Sequence, residues 1–168
     1  MDKRTYGAVF SGAMAAGAIV FLFLGRVIPT GQLGFAAVAS LFVAAVIIDI
    51  GAIWAVGAWV AASVLGFILL PGSSVIWMFA LFFGYYPIVK LLAEKRFPKL
   101  GAWIAKFLIF YIGLFSAFII AGLAAGYLAY GNWVVPAALV GGGVAFAVFD
   151  IGYSKLIEYH KLRISRKR

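Results

Sequence analysis

Long apolar runs separated by short polar or turn-forming segments make up most of this chain. A transmembrane helix needs about 20 predominantly apolar residues. The pattern predicts an all-α integral membrane protein, a single domain over residues 1–168 that folds as a compact bundle of six transmembrane helices. These helices are placed at about 6–25, 35–49, 51–70, 75–93, 101–130 and 134–152, with a basic tail over 153–168.

The second apolar run is short for a membrane span. About fourteen residues rise about 21 Å, against a hydrocarbon layer about 30 Å thick. This helix must therefore extend into its flanks, be shielded by protein or lie in thinned lipid. Arg26 to Gly34 is the predicted first outer loop, broken by Pro29 and its glycines. Asp49 to Gly51 is a predicted tight reversal, with Asp49 as the N-cap of the third helix.

Proline marks two further features of the chain. Pro71-Gly72 is a strong turn dipeptide, so the chain is expected to reverse there. Pro87 is expected to kink the fourth helix, because proline lacks the N–H that an interior helical position donates.

Composition supports the membrane assignment. Hydrophobic residues make up 66% of the chain and charged residues 11%, whereas soluble domains are about half apolar and about a quarter charged. The net charge of +9 comes from basic residues at the ends of the apolar runs. This placement indicates contact with membrane lipids and not with nucleic acid. The absence of cysteine excludes disulfides and thiol chemistry.

The distribution of basic residues predicts the orientation. Lysine and arginine concentrate on cytoplasmic segments of membrane proteins, and the stretch 90–106 is the interior segment where charges cluster. Six helices place thirteen of the fourteen lysines and arginines inside, with Arg26 the exception. Five helices would send one basic terminus outside. Both termini are therefore predicted to be cytoplasmic, in a multi-pass protein of a bacterial or archaeal plasma membrane.

The acidic residues include few candidates for a catalytic carboxylate. Asp49 and Asp150 both stand in Asp-Ile-Gly at the end of an apolar run. An aspartyl protease dyad is disfavoured, because both fall near the inner surface and neither has the Gly-x-Gly-Asp setting. Asp150 opposes the dipole at a helix end. It is expected to pair with Lys155, Lys90 or Lys106, or to contact a partner subunit.

Other signatures of chemistry are missing from the sequence. The glycines at 141–143 lack the lysine and serine of a phosphate loop, and no His, Asp and Glu set has metal-ligand spacing. The middle of each predicted helix carries no charge, which argues against a self-powered transporter. We expect no catalytic residue, no metal and no cofactor, and hence no enzyme.

Two sets of residues are candidates for binding. Polar and aromatic side chains gather at the predicted outer end, as an interfacial aromatic belt or as a pocket for a small solute. Arg26 would favour an anionic ligand. These outer residues are Arg26, Thr30, Gln32, Ser73, Ser74, Trp77, Asn132 and Trp133. Small residues at Ala8, Gly12 and Ala16 line one face of the first helix, for packing inside this protein or for docking to a separate membrane subunit.

This layout resembles the membrane S components of energy-coupling factor (ECF) importers, which capture vitamins and related micronutrients. The resemblance rests on six helices with inside termini, the small face of the first helix, a long first outer loop with a proline, a short second helix and the Phe-Gly-Tyr-Tyr-Pro sequence at 83–87. It implies that Ala8, Gly12 and Ala16 meet a transmembrane coupling subunit. The outer residues would then bind the solute, and two cytoplasmic ATPases would power uptake.

Two alternatives come from other functional classes. The rod-shape-determining membrane subunit of the cell-wall elongation machinery has a similar length and helix count, and it would bind protein partners and no solute. A lipid-handling protein would use Arg26 to meet phosphate groups.

Overall fold

The computed structural model describes residues 2–125, 143–144 and 146–155. The regular secondary structure of these residues is helical, and they include no β-strand. Four helical segments are long and apolar enough to cross a membrane: Lys3–Val27, Pro29–Asp49, Ala52–Leu69 and Ser74–Arg96. The all-helical prediction is confirmed, and several spans fit a multi-pass membrane protein. Six spans remain a prediction, because the predicted end of the fifth helix, the start of the sixth and the tail beyond residue 155 lie outside the described residues.

The first two helices are joined more tightly than predicted. Helix α1 spans Lys3–Val27, α2 spans Gln32–Asp49, and a single 3-10 turn at Pro29–Gly31 connects them. Arg26 therefore lies in α1 and Gln32 opens α2, so the long first loop is wrong. The reason is that α2 extends into its flank, which is one of the three ways in which a short apolar run can reach spanning length.

The reversal after α2 depends on a glycine and not on Asp49. Helix α3 spans Ala52–Leu69, and its N-cap is Gly51, with no side-chain capping hydrogen bond. The N–H groups of Ile50 and Gly51 both donate to the Val46 carbonyl, at 2.9 and 3.0 Å. Asp49 is the last residue of α2 and is exposed. The N-cap prediction for Asp49 is wrong, because α2 continues through that position.

The turn after α3 has the predicted chemistry. The N–H of Ser73 donates to the Leu70 carbonyl at 3.2 Å. Gly72 has a φ of 74°, which a type II turn requires at its third position, with proline favoured before it. The reversal at Pro71-Gly72 is confirmed.

The fourth span is irregular just before the proline at which a kink was predicted. Helix α4 spans Ser74–Met78, a π-helical turn covers Phe79–Phe83, and α5 spans Tyr86–Arg96. Pro87 lies in the first turn of α5, where its missing N–H removes no helical hydrogen bond. Pro87 therefore lies where regular α-helix resumes after the π-helical turn.

Small residues let the first three helices approach closely. Helix α1 packs against α2 and α3 through a buried stripe that includes Gly7, Ser11, Ala15 and Ala18. A Cβ added at Gly7 would lie 2.6 Å from the Trp54 ring. Large rings therefore rest directly on glycine backbone, as in tightly packed membrane helices.

The chain divides into two compact units, Met1–Lys106 and Phe107–Arg168. Helix α6 spans Lys99–Ala125, so only Phe97 and Pro98 separate it from α5. In the second unit, aromatic rings join the helical segment 146–155 to α6. The rings of Phe110 and Phe146 stack with centroids 4.6 Å apart.

Candidate functional site

Two of the predicted pocket residues are in direct contact. Ser74 Oγ donates a hydrogen bond to Gln32 Oε1 at 2.7 Å. Gln32 opens α2 and Ser74 opens α4, so this bond ties the connection before α2 to the connection before α4. An amide and a hydroxyl held together in this way leave further donors and acceptors for a ligand.

Close packing beneath this pair brings four helix ends together. A Cβ added at Gly25, near the end of α1, would lie 2.8 Å from Val75 Cγ2 and 3.1 Å from Phe35 Cβ. The rings of Phe67 and Trp77 meet edge to face at 4.7 Å, which joins α3 to α4. The predicted outer ends of α1 to α4 therefore form one surface.

The other predicted pocket residues differ in accessibility. Arg26 and Thr30 are exposed, Trp77 is 43% exposed and Ser73 is buried. In the part of the chain that the structure describes, no hydrogen bond or ion pair joins Arg26 to the Gln32–Ser74 pair. Asn132 and Trp133 lie outside the described residues.

The predicted docking face of α1 is uncovered within the described part of the chain. Ala8, Gly12 and Ala16 are all exposed, and a Cβ added at Gly12 would meet nothing within 4 Å. The residues that pack internally form the neighbouring stripe, with Ser11 and Ala15 at its centre. Packing onto α2 and α3 therefore does not explain why small residues occur at Ala8, Gly12 and Ala16.

A buried charge cluster at the α5–α6 corner was not anticipated. Lys90 and Lys106 are each only 3% exposed. Their Nζ atoms lie 3.6 and 3.1 Å from the same oxygen, Glu94 Oε1, and the Glu94 side chain is 47% exposed. Lys106 Nζ also lies 5.2 Å from the centroid of the Trp103 ring, within the range of a cation–π contact. The half-exposed carboxylate of Glu94 therefore lies within ion-pairing distance of two buried ammonium groups.

Part of this cluster has a sequence signal. Lys90 and Glu94 are four residues apart, which places them on the same face of α5. Lys106 lies in α6, twelve residues beyond Glu94, so the spacing of residues within α5 does not predict its contact with Glu94. The predicted fourth helix ends at about residue 93, so its boundary separates Lys90 from Glu94 and the helical spacing of this pair is missed.

The two Asp-Ile-Gly acids have different surroundings. Asp49 is exposed, which does not fit a carboxylate that shares a proton in a buried dyad. Asp150 is 2% exposed, and its carbonyl accepts a hydrogen bond from Ser154 Oγ at 2.7 Å. Lys155 is exposed. The ion pair expected for Asp150 stays a prediction.

No group of three or more His, Cys, Asp or Glu residues is placed to hold a metal ion among the described residues. The chain has no significant match among models of protein families, curated proteins or solved structures.

Proposed function

We propose that this chain is the solute-capturing membrane subunit, an S component, of an ECF-type importer. The observation that carries the proposal is the division of α1 into two small-residue faces. One face packs on α2 and α3, while Ala8, Gly12 and Ala16 stay exposed. A small-residue face within a membrane favours close docking of another helix. The resemblance to S components assigns this role to a transmembrane coupling subunit.

Capture would take place at the surface around Gln32 and Ser74. Their amide and hydroxyl would orient a small solute, the exposed ring of Trp77 would stack on it, and Arg26 would attract an anionic group. Thr30, Ser73, Asn132 and Trp133 are further candidates for this site. The solute class that fits is a small anionic or aromatic micronutrient.

In this proposal the chain performs recognition alone. Transport would be driven by the coupling subunit and two cytoplasmic ATPases in a bacterial or archaeal plasma membrane.

Co-purification from native membranes tests the docking face. We compare Gly12→Leu with Gly57→Leu, because Gly57 on α3 is also exposed and a Cβ there also meets nothing within 4 Å. Mass spectrometry of the proteins and small molecules that co-purify should find ATPase subunits and a solute with the wild type and with Gly57→Leu. Gly12→Leu should lose the ATPase subunits and retain the solute.

Other outcomes would contradict the proposal. Retention of every partner by Gly12→Leu would rule out docking through this face of α1. Cell-wall synthases in place of ATPases, with no solute, would identify the rod-shape alternative. Solute retained by a Gln32→Ala, Ser74→Ala double variant would place the capture site elsewhere.

A further inference from the structure

Exposed cations and exposed apolar side chains occur together where α5 is joined to α6. Helix α5 ends at Arg96 and α6 begins at Lys99. Lys95 and Arg96 are exposed, and close to them in the sequence Phe97 is 49% exposed and Leu100 is 76% exposed. We refer to Lys95, Arg96, Phe97 and Leu100 as the corner patch. All four belong to the first compact unit.

The two cations of the corner patch are not neutralised by the acid that precedes them. Glu94 Oε1 lies 3.6 and 3.1 Å from the Nζ atoms of the buried Lys90 and Lys106. In the part of the chain that the structure describes, neither Lys95 nor Arg96 forms an ion pair or a side-chain hydrogen bond. Their positive charge is therefore available to an anion outside the protein.

The position of these cations along α5 corresponds to a membrane surface. Both lie at the end of the apolar segment Ser74–Arg96, which is long enough to be a span. Leu92 precedes them by three and four residues, on the same side of the helix, and is 57% exposed. An exposed leucine one turn before exposed cations is the pattern of a helix end at which lysine and arginine reach the lipid head groups.

The apolar residues of the corner patch indicate that the connection itself lies against lipid. Removal of apolar side chains from water is favourable in proportion to their exposed area, and Phe97 and Leu100 are half or more exposed. Ile104 lies four residues after Leu100, so it continues the same face of α6, and it is 56% exposed. The segment Leu100–Gly113 is apolar. The exposed apolar face therefore extends from the corner patch into the predicted fifth span.

A ligand that fits this patch combines a negative charge with hydrocarbon. Inorganic phosphate would satisfy the cations and leave Phe97 and Leu100 uncovered. A zwitterionic lipid would cover the apolar side chains but carries no net charge. An acidic phospholipid supplies both parts, because lysine and arginine bind phosphate oxygens and an acyl chain covers apolar side chains.

We propose that the corner patch binds one acidic phospholipid. Its phosphate lies between Lys95 and Arg96, and one acyl chain lies along Phe97, Leu100 and Ile104. The apolar contacts distinguish this site from the general attraction of basic segments to anionic membranes, because they fix the position of the lipid. The site is independent of the proposed function, because it requires neither a solute nor a coupling subunit.

Native mass spectrometry of the full chain in detergent, titrated with dioleoylphosphatidylglycerol or dioleoylphosphatidylcholine, tests this proposal. The Kd of the first bound lipid should be lower for phosphatidylglycerol. Lys95→Ala combined with Arg96→Ala should raise that Kd by about 25-fold, because each cation near an anionic lipid surface contributes about a factor of five. Lys3→Ala combined with Arg4→Ala removes two exposed cations at the start of α1 and is the matched control. It should leave the Kd close to the wild-type value.

A second pair of variants tests the apolar contacts. Phe97→Ser combined with Leu100→Ser should also raise the Kd for phosphatidylglycerol. Ile53→Ser combined with Ile68→Ser, at positions of α3 that are 88% and 67% exposed, should not. All of these side chains lie at the surface, so thermal unfolding of each variant should match that of the wild type.

Four results would overturn the proposal. Equal effects of the two alanine pairs would reduce the binding to net charge, and equal effects of the two serine pairs would reduce it to unspecific lipid contact. Displacement of phosphatidylglycerol from the wild type by excess inorganic phosphate would show a site for a free anion. Loss of a co-purifying protein from the Lys95→Ala, Arg96→Ala variant, with phosphatidylglycerol retained, would assign the corner patch to a protein partner.

Discussion

At the scale of single residues, Glu94 is an acid that pairs with two buried lysines. Its carboxylate lies within 3.6 Å of two lysine Nζ atoms that are almost fully buried. A buried ammonium without an acceptor is strongly unfavourable. Glu94 is itself 47% exposed, so solvent moderates the energy of both pairs.

Glu94→Gln should destabilise the protein by about 1–2 kcal/mol, since it removes the charge on an acceptor shared by Lys90 and Lys106. The unfolding midpoint of the purified protein in detergent measures this effect. Asp49→Asn is the control, because Asp49 is an exposed acid at a helix end, and its effect should be within about 0.5 kcal/mol. Equal midpoints for the two variants would show that Glu94 does not stabilise the buried lysines.

Gly51 is the residue that permits the reversal between α2 and α3. Its φ of 121° lies in a region that side chains with a Cβ rarely adopt. Nothing lies within 4 Å of a Cβ built at this position. The requirement for glycine is therefore conformational and not steric.

Gly51→Ala should cost about 1–3 kcal/mol of unfolding free energy through backbone strain. Gly57→Ala, inside α3 and also in open space, should be neutral or stabilising by up to about 1 kcal/mol. Thermal unfolding of the two variants side by side checks the difference. A neutral Gly51→Ala would mean that the turn adopts another conformation.

At the scale of elements, α1 has a packed face and an open face. Gly7 lies against the Trp54 ring, whereas Gly12 meets no side chain within 4 Å. These glycines are five residues apart in the same helix, so they share the same helical backbone and differ in their neighbours. The pair therefore separates packing within the chain from docking to another subunit.

Gly7→Leu should lower the unfolding midpoint of the isolated chain, because a side chain there would displace Trp54 and open α1 from α3. Overpacking of this kind costs about 1–3 kcal/mol. Gly12→Leu should leave the midpoint of the isolated chain unchanged. A similar loss in both variants would indicate that α1 packs through both faces in the isolated protein.

At the scale of the whole molecule, the orientation in the membrane is the property on which the proposed function depends. Basic residues cluster at 90–106 and at the C-terminal tail, and Arg26 stands apart from both. The four apolar helical segments are compatible with spans, and the charge asymmetry predicts which ends face the cytoplasm.

Labelling of single cysteines on intact cells checks this orientation, because the chain has no cysteine of its own. Thr30→Cys and Lys95→Cys are both at exposed positions. A membrane-impermeant maleimide should label Thr30→Cys on intact cells and should label Lys95→Cys only after permeabilisation. The reverse pattern would invert the topology and would exclude capture of a solute from outside at Gln32 and Ser74.

The sequence by itself determined the helical class, the approximate positions of the first four spans and the turn at Pro71-Gly72. These follow from apolar run length and local turn chemistry, which act over neighbouring residues. Local rules failed where an element continued past its apolar run. Helix α2 begins at Gln32, three residues before its predicted start, and the irregular turn of the fourth span lies at Phe79–Phe83, before Pro87.

Only the tertiary structure decided which distant residues meet. The Gln32–Ser74 bond joins positions 42 residues apart, and the ion pair of Glu94 and Lys106 joins residues of two different helices. Single-sequence patterns do not encode such contacts, because they depend on helix rotation and helix packing. Helix α1 is a further example. Its small residues are evident from the sequence, but only the structure shows which face is packed, because rings of α2 and α3 lie against its glycines.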